Sequence, residues 1–445
     1  MKKLTKYTLA VAVLLGTGYA QAQTITLQQA VQSALENNNL LKIKQWQVTE
    51  QEAKVNESRI KLFPVVTVNG AYQYNVETGE LVIPAGTFGA LPLNPTTVVP
   101  LPGSDEVFPL SKHNIVNVGA MAYQPITQLG KIKTGIEVAK TDQAISRLEQ
   151  TKAEQQITNA VEQYYYGILA IRKRKTEAKK NREVAQLKLY DVQSALMAGK
   201  TTDVSEYGLK ANIAHEEQEL LKLQFQEEDY LAEFRKLTGI SVENPELAEV
   251  PLTMVAAQTL DDYQSQALKN NTELQIIGLQ KLKSDLGIQA ARQSYLPEVG
   301  IFAGYTYQEG NIIMPQSNPY AGVNLKWNIQ DIFSNRQVIA QRQALRQQAE
   351  ENEKYMTEQT TVATSKAYRK MKQAEELIRV AQQAVDYRKQ ELKEETDRLE
   401  TGLGKPLKVR ETEAALAKAE ADLYGAIISY KIARSELGLL TNTGE

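Results

Sequence analysis

Residues 26–75 and 259–308 are one segment written twice, aligned without a gap at an offset of 233. Thr26-Leu27, Ala34-Leu35, Asn37-Asn38, Leu41, Pro64, Val66, Tyr72 and Tyr74 meet Thr259-Leu260, Ala267-Leu268, Asn270-Asn271, Leu274, Pro297, Val299, Tyr305 and Tyr307. A tandem duplication restricts the chain to a fold of two like halves, and every other segment has to be read inside that frame.

The N-terminus carries an address before it carries structure. Lys2, Lys3 and Lys6 precede an apolar run from Tyr7 to Gly16, and Ala20-Gln21-Ala22 forms an A-x-A cleavage site. This pattern predicts a secretory signal peptide over 1–22 with Gln23 as the first mature residue. A membrane anchor is the competing reading, but the apolar core falls short of the ~20 residues a spanning helix needs. Loss of the three lysines takes the formal charge from −2 to −5, with 48 basic residues left against 53 acidic. That balance is no footprint for nucleic acid. Cysteine is absent, which excludes disulfides, thiol chemistry, thiolate-bound metal and a lipid on the first mature residue.

Two kinds of segment follow. From Leu129 to Met197 there is no proline, charge is dense, and Ile157, Val161, Tyr164 and Ile168, then Ala185, Leu189, Val192 and Leu196, recur at the spacing of one helical face. A helix of that length spans roughly 100 Å. The second half repeats it from Asp331 to Glu400, where Met371, Ile378, Val385, Leu392 and Leu399 fall every seven residues. A strict heptad holds one seam against a partner helix. Each long helix runs into a glycine-containing break, and a returning helix follows over Val204–Leu237 or Lys408–Leu437. The tips lie at 198–203 and 401–407.

The other segments alternate with a period of two. Val66, Val68, Gly70, Tyr72 and Tyr74 share one face, against Thr67, Asn69, Ala71, Gln73 and Asn75; Val299, Ile301, Ala303, Tyr305 and Tyr307 repeat this against Glu298, Gly300, Phe302, Gly304 and Thr306. Val116, Val118, Ala120 and Ala122, and Ala321, Val323, Leu325 and Trp327, supply two further strands. Strands are expected at about 64–75, 113–124, 297–308 and 320–329. Such segments, apolar on one side and ended by aromatics, suit an outer-membrane barrel, with Tyr72, Tyr74, Tyr305, Tyr307 and Trp327 as its interfacial girdle. A soluble sandwich with one wet face is the alternative. Four strands cannot close a barrel, and an open edge cannot sit in lipid, so several copies have to close it together. Segment 77–112, rich in proline and glycine, reads as a long outward-facing loop that caps the barrel; its counterpart 309–319 is short.

The order helix, strand, strand, long helix, tip, returning helix, written twice, resembles the TolC family of outer-membrane efflux proteins across nearly all of 24–440. The matching pieces are "TLQQAVQSALENN" and "TLDDYQSQALKNN", "RIKLFPVVTVNGAYQYN" and "RQSYLPEVGIFAGYTYQ", and the tips "AGKTTDVSEY" and "TGLGKPLKVRETEA". The resemblance implies a mainly α fold with a β-barrel part: tandem coiled-coil hairpins forming a periplasmic α-barrel, and four strands per subunit of a trimeric transmembrane β-barrel. It divides the chain into repeats over 23–238 and 259–440, an inter-repeat belt segment at 239–258 and a tail at 441–445. It further implies an outer-membrane location with a large periplasmic portion, and passive conduction as the exit duct of a multi-component efflux or type I secretion system. Its partners would be two more copies of the chain, outer-membrane lipid, a periplasmic adaptor and an inner-membrane pump, with no cofactor and no nucleic acid.

In the family the periplasmic end is closed by the inner coiled coils, with acidic residues at the constriction. By position, Asp203 and Glu206 follow the first tip and Lys408, Arg410 and Glu411 the second. An acidic ring, an ion-pair latch of Lys408 and Arg410 with Asp203 or Glu206, and plain solvated helix-start charges all stay open. Gly199, Lys200, Thr201 and Thr202 in one tip, and Gly402, Leu403, Gly404 and Lys405 in the other, are candidates for adaptor contact, since loops on rigid scaffolds often carry recognition. A periplasmic coiled-coil adaptor or scaffold is the alternative function; it shares the hairpins but has no use for four amphipathic strands. His113 and His215 are far apart in sequence and no cysteine accompanies them, so neither a metal site nor a histidine-based triad is expected. No Walker-type loop is present, and Tyr164-Tyr165-Tyr166 reads as helix packing.

Overall fold

A computed structural model of the chain describes residues 24–199, 204–249, 251 and 258–443. The expected signal peptide, positions 200–203 of the first tip, and positions 250 and 252–257 between the repeats lie outside the described residues. In chain order the elements are α1 (Leu27–Asn37), α2 (Asn39–Ile60), β1 (Val65–Tyr74), β2 (Glu80–Ile83), β3 (Ala90–Asn94), β4 (Thr97–Pro100), β5 (Glu106–Pro109), β6 (Ser111–Pro125), α3 (Leu129–Met197) and α4 (Val204–Thr238). The series then starts again with α5 (Leu260–Asn270), α6 (Thr272–Gln293), β7 (Glu298–Asn311), β8 (Ser317–Lys326), α7 (Gln330–Glu400) and α8 (Pro406–Thr441).

The duplication is visible in the caps. Thr26 and Thr259 each close a capping box, with Gln29 and Asp262 as the respective reciprocal partners. The opening helix is in two pieces rather than one. Asn38 and Asn271 both turn to an extended ψ of 123° while their amides still donate to Ala34 and Ala267, so α1 and α5 stop and a new helix begins at the next residue.

The chain divides into two compact units. The first draws on Met1–Ile43, Gln150–Thr272 and Thr357–Glu445. One of its cores packs Ile157, Val161, Tyr165 and Ile168 of α3 on Leu231 and Phe234 of α4, with Ala30 and Ala34 of α1. The other packs Ala367, Met371, Ala374 and Ile378 of α7 on Ile427, Tyr430, Ala433 and Leu437 of α8. The expected heptad is thus an interior seam, with Met371, Ile378 and Val385 buried and Leu392 and Leu399 half-buried. Thr360 and Thr364 continue it at helical spacing; the Thr364 hydroxyl is buried at no cost in unmet hydrogen bonds because it donates to the Thr360 carbonyl at 2.8 Å.

The second unit draws on Lys44–Glu149 and Glu273–Met356. Its centre is a four-stranded antiparallel sheet in the order β1-β6-β7-β8. Its helices are laced by ion pairs such as Lys283–Asp142 at 2.6 Å, Arg346–Asp285 at 2.7 Å and Lys44–Glu149 at 2.9 Å. Partly exposed pairs of this kind contribute roughly 0–1 kcal/mol each. Segment 77–112 is not a plain loop. It folds as two ribbons, β2 with β5 and β3 with β4, because Pro92, Pro100 and Pro109 fall in two-stranded ribbons, where every strand is an edge and a missing amide is tolerated.

Candidate functional site

The register of the sheet sorts its side chains completely. Tyr72 lies opposite Val116, Gly70 opposite Val118, Val118 opposite Tyr307, and Ala120 opposite both Val68 and Tyr305. Residues directly opposite share a face, so Val66, Val68, Tyr72, Tyr74, Val118, Ile301, Tyr305, Tyr307, Val323 and Leu325 form one continuous apolar surface, all of it exposed in the single chain. Thr67, Asn69, Gln73, Asn117, Thr306 and Asn324 lie on the other. Tyr72 donates to Asn114 at 2.8 Å and Tyr305 to Ser317 at 3.0 Å, and the Tyr74 ring stacks on His113. The expected aromatic girdle is split by position. Tyr72 and Tyr74 end β1, and Trp327 follows β8 directly at the opposite end of the sheet. Tyr305 and Tyr307 stand nearer the middle, because β7 runs on to Asn311, three residues past its expected end.

The polar face carries a feature that alternation alone did not reveal. A Cβ at Gly322 would come within 2.6 Å of the Phe302 ring, one at Gly304 within 2.6 Å of Tyr320, and one at Gly300 inside Tyr123. These aromatic rings occupy the space that a side chain at each glycine would fill, and the Phe302 and Tyr320 rings pack on each other at a tilt of 56°. The signal was present as Gly300, Phe302 and Gly304 in alternation, but their partners Tyr123 and Tyr320 are set by register.

The tips are built from helix stops. Gly199 and Gly402 take positive φ of 69° and 80°, the left-handed conformation that closes a helix and suits glycine. At the second tip the Leu403 and Gly404 amides both donate to the Arg398 carbonyl at 2.9 and 2.8 Å. Gly404 is packed so closely that a Cβ would meet the Leu399 backbone at 2.6 Å. Leu403 is left 79% exposed. Lys405 caps α8 without a side-chain hydrogen bond, with Pro406 at the first helical position. Lys200, Thr201, Thr202 and Asp203 lie outside the described residues.

The charged candidates each have a place. Glu206 accepts from Lys210 at 2.9 Å, one turn along α4, and from Gln193 of α3 at 3.0 Å; these bonds hold its carboxyl below the ordinary range. Arg410 pairs with Glu413 at 2.8 Å, and Glu411 pairs with Lys188 of α3 at 2.7 Å. Lys408 is exposed and makes no ion pair among the described residues. Within one chain, then, Glu206 and Arg410 are not paired with each other, because each has a closer partner on its own helix. The Lys188–Glu411 bridge between α3 and α8 was not anticipated.

A clasp joins the segment after α4 to the start of the chain. Ile25 and Leu247 form a parallel bridge, and the Tyr165 hydroxyl sits 2.9 Å from the Ile25 carbonyl oxygen and 2.8 Å from that of Ala248. Burial pushes the Tyr165 phenol up to about 12, so it stays a donor. Arg172 reaches Asn244 at 2.7 Å and the Pro245 carbonyl at 3.0 Å.

A sheet with one exposed apolar face, one polar face and two edges unpaired among the described residues, in a chain that also forms long helical hairpins, is what a subunit of a membrane-spanning barrel supplies. No helix among the described residues is long and apolar enough to cross a membrane. The chain belongs to the outer membrane efflux protein family, whose model matches residues 30–240 and 264–443. Among solved structures, the Campylobacter jejuni CmeC outer membrane channel matches with a TM-score of 0.74 at 15% identity, covering 93% of this chain and 85% of that one. CusC matches at 0.72 and 14%, covering 94% and 92%, and the Vibrio cholerae outer membrane protein VceC at 0.68 and 14%, covering 93% and 94%. At these identities the likeness is one of fold. No curated protein matches the chain. The protein is therefore an outer-membrane channel with a large periplasmic part, an exit duct for an efflux system.

Proposed function

We propose that three copies close one barrel of twelve strands, and that the duct conducts passively, making and breaking no bond, between an inner-membrane pump and the exterior. The observation that carries this reading is the sheet itself: β1 and β8 have edges unpaired among the described residues, and backbone left unpaired in lipid costs several kcal/mol per group. Family members of this kind are trimeric and work with pump components, which supports the stoichiometry. The two repeats 23–238 and 259–440 each contribute one strand pair and one hairpin, with 239–258 as the belt between them.

The tips are the proposed docking points for a periplasmic adaptor. The exposed Leu403 on a turn with Gly402, Gly404 and Lys405 offers an apolar knob; at the other tip the contact is proposed for Gly199, Lys200, Thr201 and Thr202. The proposed gate comprises Asp203, Glu206, Lys408, Arg410 and Glu411; Lys408 makes no ion pair among the described residues and is available to pair across copies. The test is the mass of the purified protein in mild detergent together with conductance in a planar bilayer. A conducting trimer is expected; a non-conducting monomer would return the chain to the adaptor or scaffold class. Leu403→Glu should then abolish adaptor capture while leaving trimer mass and conductance as they were.

A further inference from the structure

The two ribbons between β1 and β6 are apolar on both sides. Leu81 lies opposite Phe108 and, on the other face, Val82 opposite Val107; Leu91 lies opposite Val99 in the second ribbon. All are exposed. A lone two-stranded ribbon is marginal in water, and covering each Val, Leu or Phe side chain stabilises by about 1.5–3 kcal/mol, so these surfaces call for an occupant. A second apolar patch stands beside them. Ile312, Ile313 and Met314 at the β7–β8 turn are exposed, and the Ile312 amide donates to the Leu110 carbonyl at 3.2 Å, joining that turn to the base of the insertion.

Lipid is a poor occupant. Glu77 precedes the first ribbon, Glu80 opens it, and the Lys112–Glu309 pair at 3.7 Å lies at the base of the insertion, while Asp105 and Glu106 lie within it, with Asp105 accepting from the Ala85 amide at 2.7 Å. Carboxylates at those positions are costly in hydrocarbon. A second copy of the chain is the better fit, because the insertion leaves β1, an edge strand of the sheet, which the trimer reading pairs with a neighbour's β8. The ribbons therefore continue the copy-to-copy interface beyond the last strand hydrogen bond.

We propose that in the trimer the three insertions pack on one another and on the neighbouring Ile312–Met314 turns, forming an apolar lid over the outer mouth of the barrel. This rests on the trimer reading above. The chain has no cysteine, so Leu93→Cys places a single thiol on the exposed rim of the second ribbon, and Glu52→Cys on α2 serves as the control. Purified trimers of each variant are treated with a short bismaleimide, and intact cells are treated with a bulky polyethylene-glycol maleimide. The lid predicts covalent dimers and trimers for Leu93→Cys and none for the control, with Leu93→Cys protected from the bulky reagent on cells. A trimer by mass whose Leu93→Cys thiols do not cross-link and react freely on cells overturns the lid and leaves the trimer standing. A monomer by mass removes both.

Discussion

Arg172 of α3 donates through Nε to Oε1 of Glu227 of α4 at 2.8 Å, while Lys175 takes the second carboxylate oxygen at 2.6 Å. Glu227 is buried, yet both of its oxygens are met by cations one turn apart on the facing helix, and Arg172 extends the same network to the segment after α4. Breaking such a group strands the remaining charges, which is where most of the cost of losing a buried pair arises.

Glu227→Gln is expected to lower the melting temperature by about 4 °C at pH 7, equivalent to about 1–2 kcal/mol. Burial pushes this carboxyl up, but the hydrogen bonds from Lys175 and Arg172 outweigh it and hold the group below its ordinary 4.5. A depressed value stabilises the folded state fully above 4.5, and that contribution is lost as pH falls through the folded value. The gap between wild type and variant should therefore be constant above pH 4.5 and narrow below it. A gap that ignores pH would show that packing, not charge, fixes Glu227. Thermal melts in mild detergent across pH provide the check.

The heptad seam makes a sharper contrast within one helix. Ile378 is 2% exposed and its neighbour Leu377 is 60% exposed. Ile378→Ala should destabilise by about 2–5 kcal/mol through lost burial and the cavity left behind, whereas Leu377→Ala should stay within about 0.5 kcal/mol. Heat resistance of the assembled protein on gels reads both.

Adjacent positions of β1 separate the two faces of the sheet. Val68→Lys puts a charge on the apolar face at a cost of about 2–4 kcal/mol near the middle of the membrane, and should sharply reduce the yield of folded protein in outer-membrane fractions. Asn69→Lys, on the polar face, should assemble normally and alter only ion selectivity. Equal loss from both variants would refute the assignment of the faces.

Gly322→Ala drives a Cβ into Phe302 and should cost about 1–3 kcal/mol by overpacking. All three nearest atoms belong to that one ring, so Phe302→Leu should restore much of the loss in the double variant. A double-mutant cycle on melting temperature measures the recovery.

Much of this was legible in the residues. The long helices were readable because no proline interrupts Leu129 to Met197 and two stretches of it keep the three-and-four spacing, and both bounds agree with α3 as observed. The faces of the strands were readable because a period of two leaves no choice once one face is apolar. The breaks at Asn38 and Asn271 were not, since an asparagine pair within a helical pattern fits either a continuing helix or a stop, and the decision rests on the cap geometry. The ribbons of 80–109 were hidden by proline, which reads as loop unless the strands are short edges. At the tips, position was legible and pairing was not: Lys188 and Glu411 are neighbours only through the packing of α3 on α8, a fact that no local pattern contains.

The two capping boxes have a consequence for how the halves respond to their surroundings. Thr26 is answered by the amide of Gln29, which carries no charge at any pH, and Thr259 by the carboxylate of Asp262, which the Thr259 hydroxyl and amide hold below its usual 3.8. Acid deep enough to protonate Asp262 removes the capping carboxylate from the start of the second repeat and leaves the cap of the first untouched. One joint, inherited twice, has thus become a matched pair in which only one member is a titrating group, and strong acid should loosen the start of α5 before that of α1.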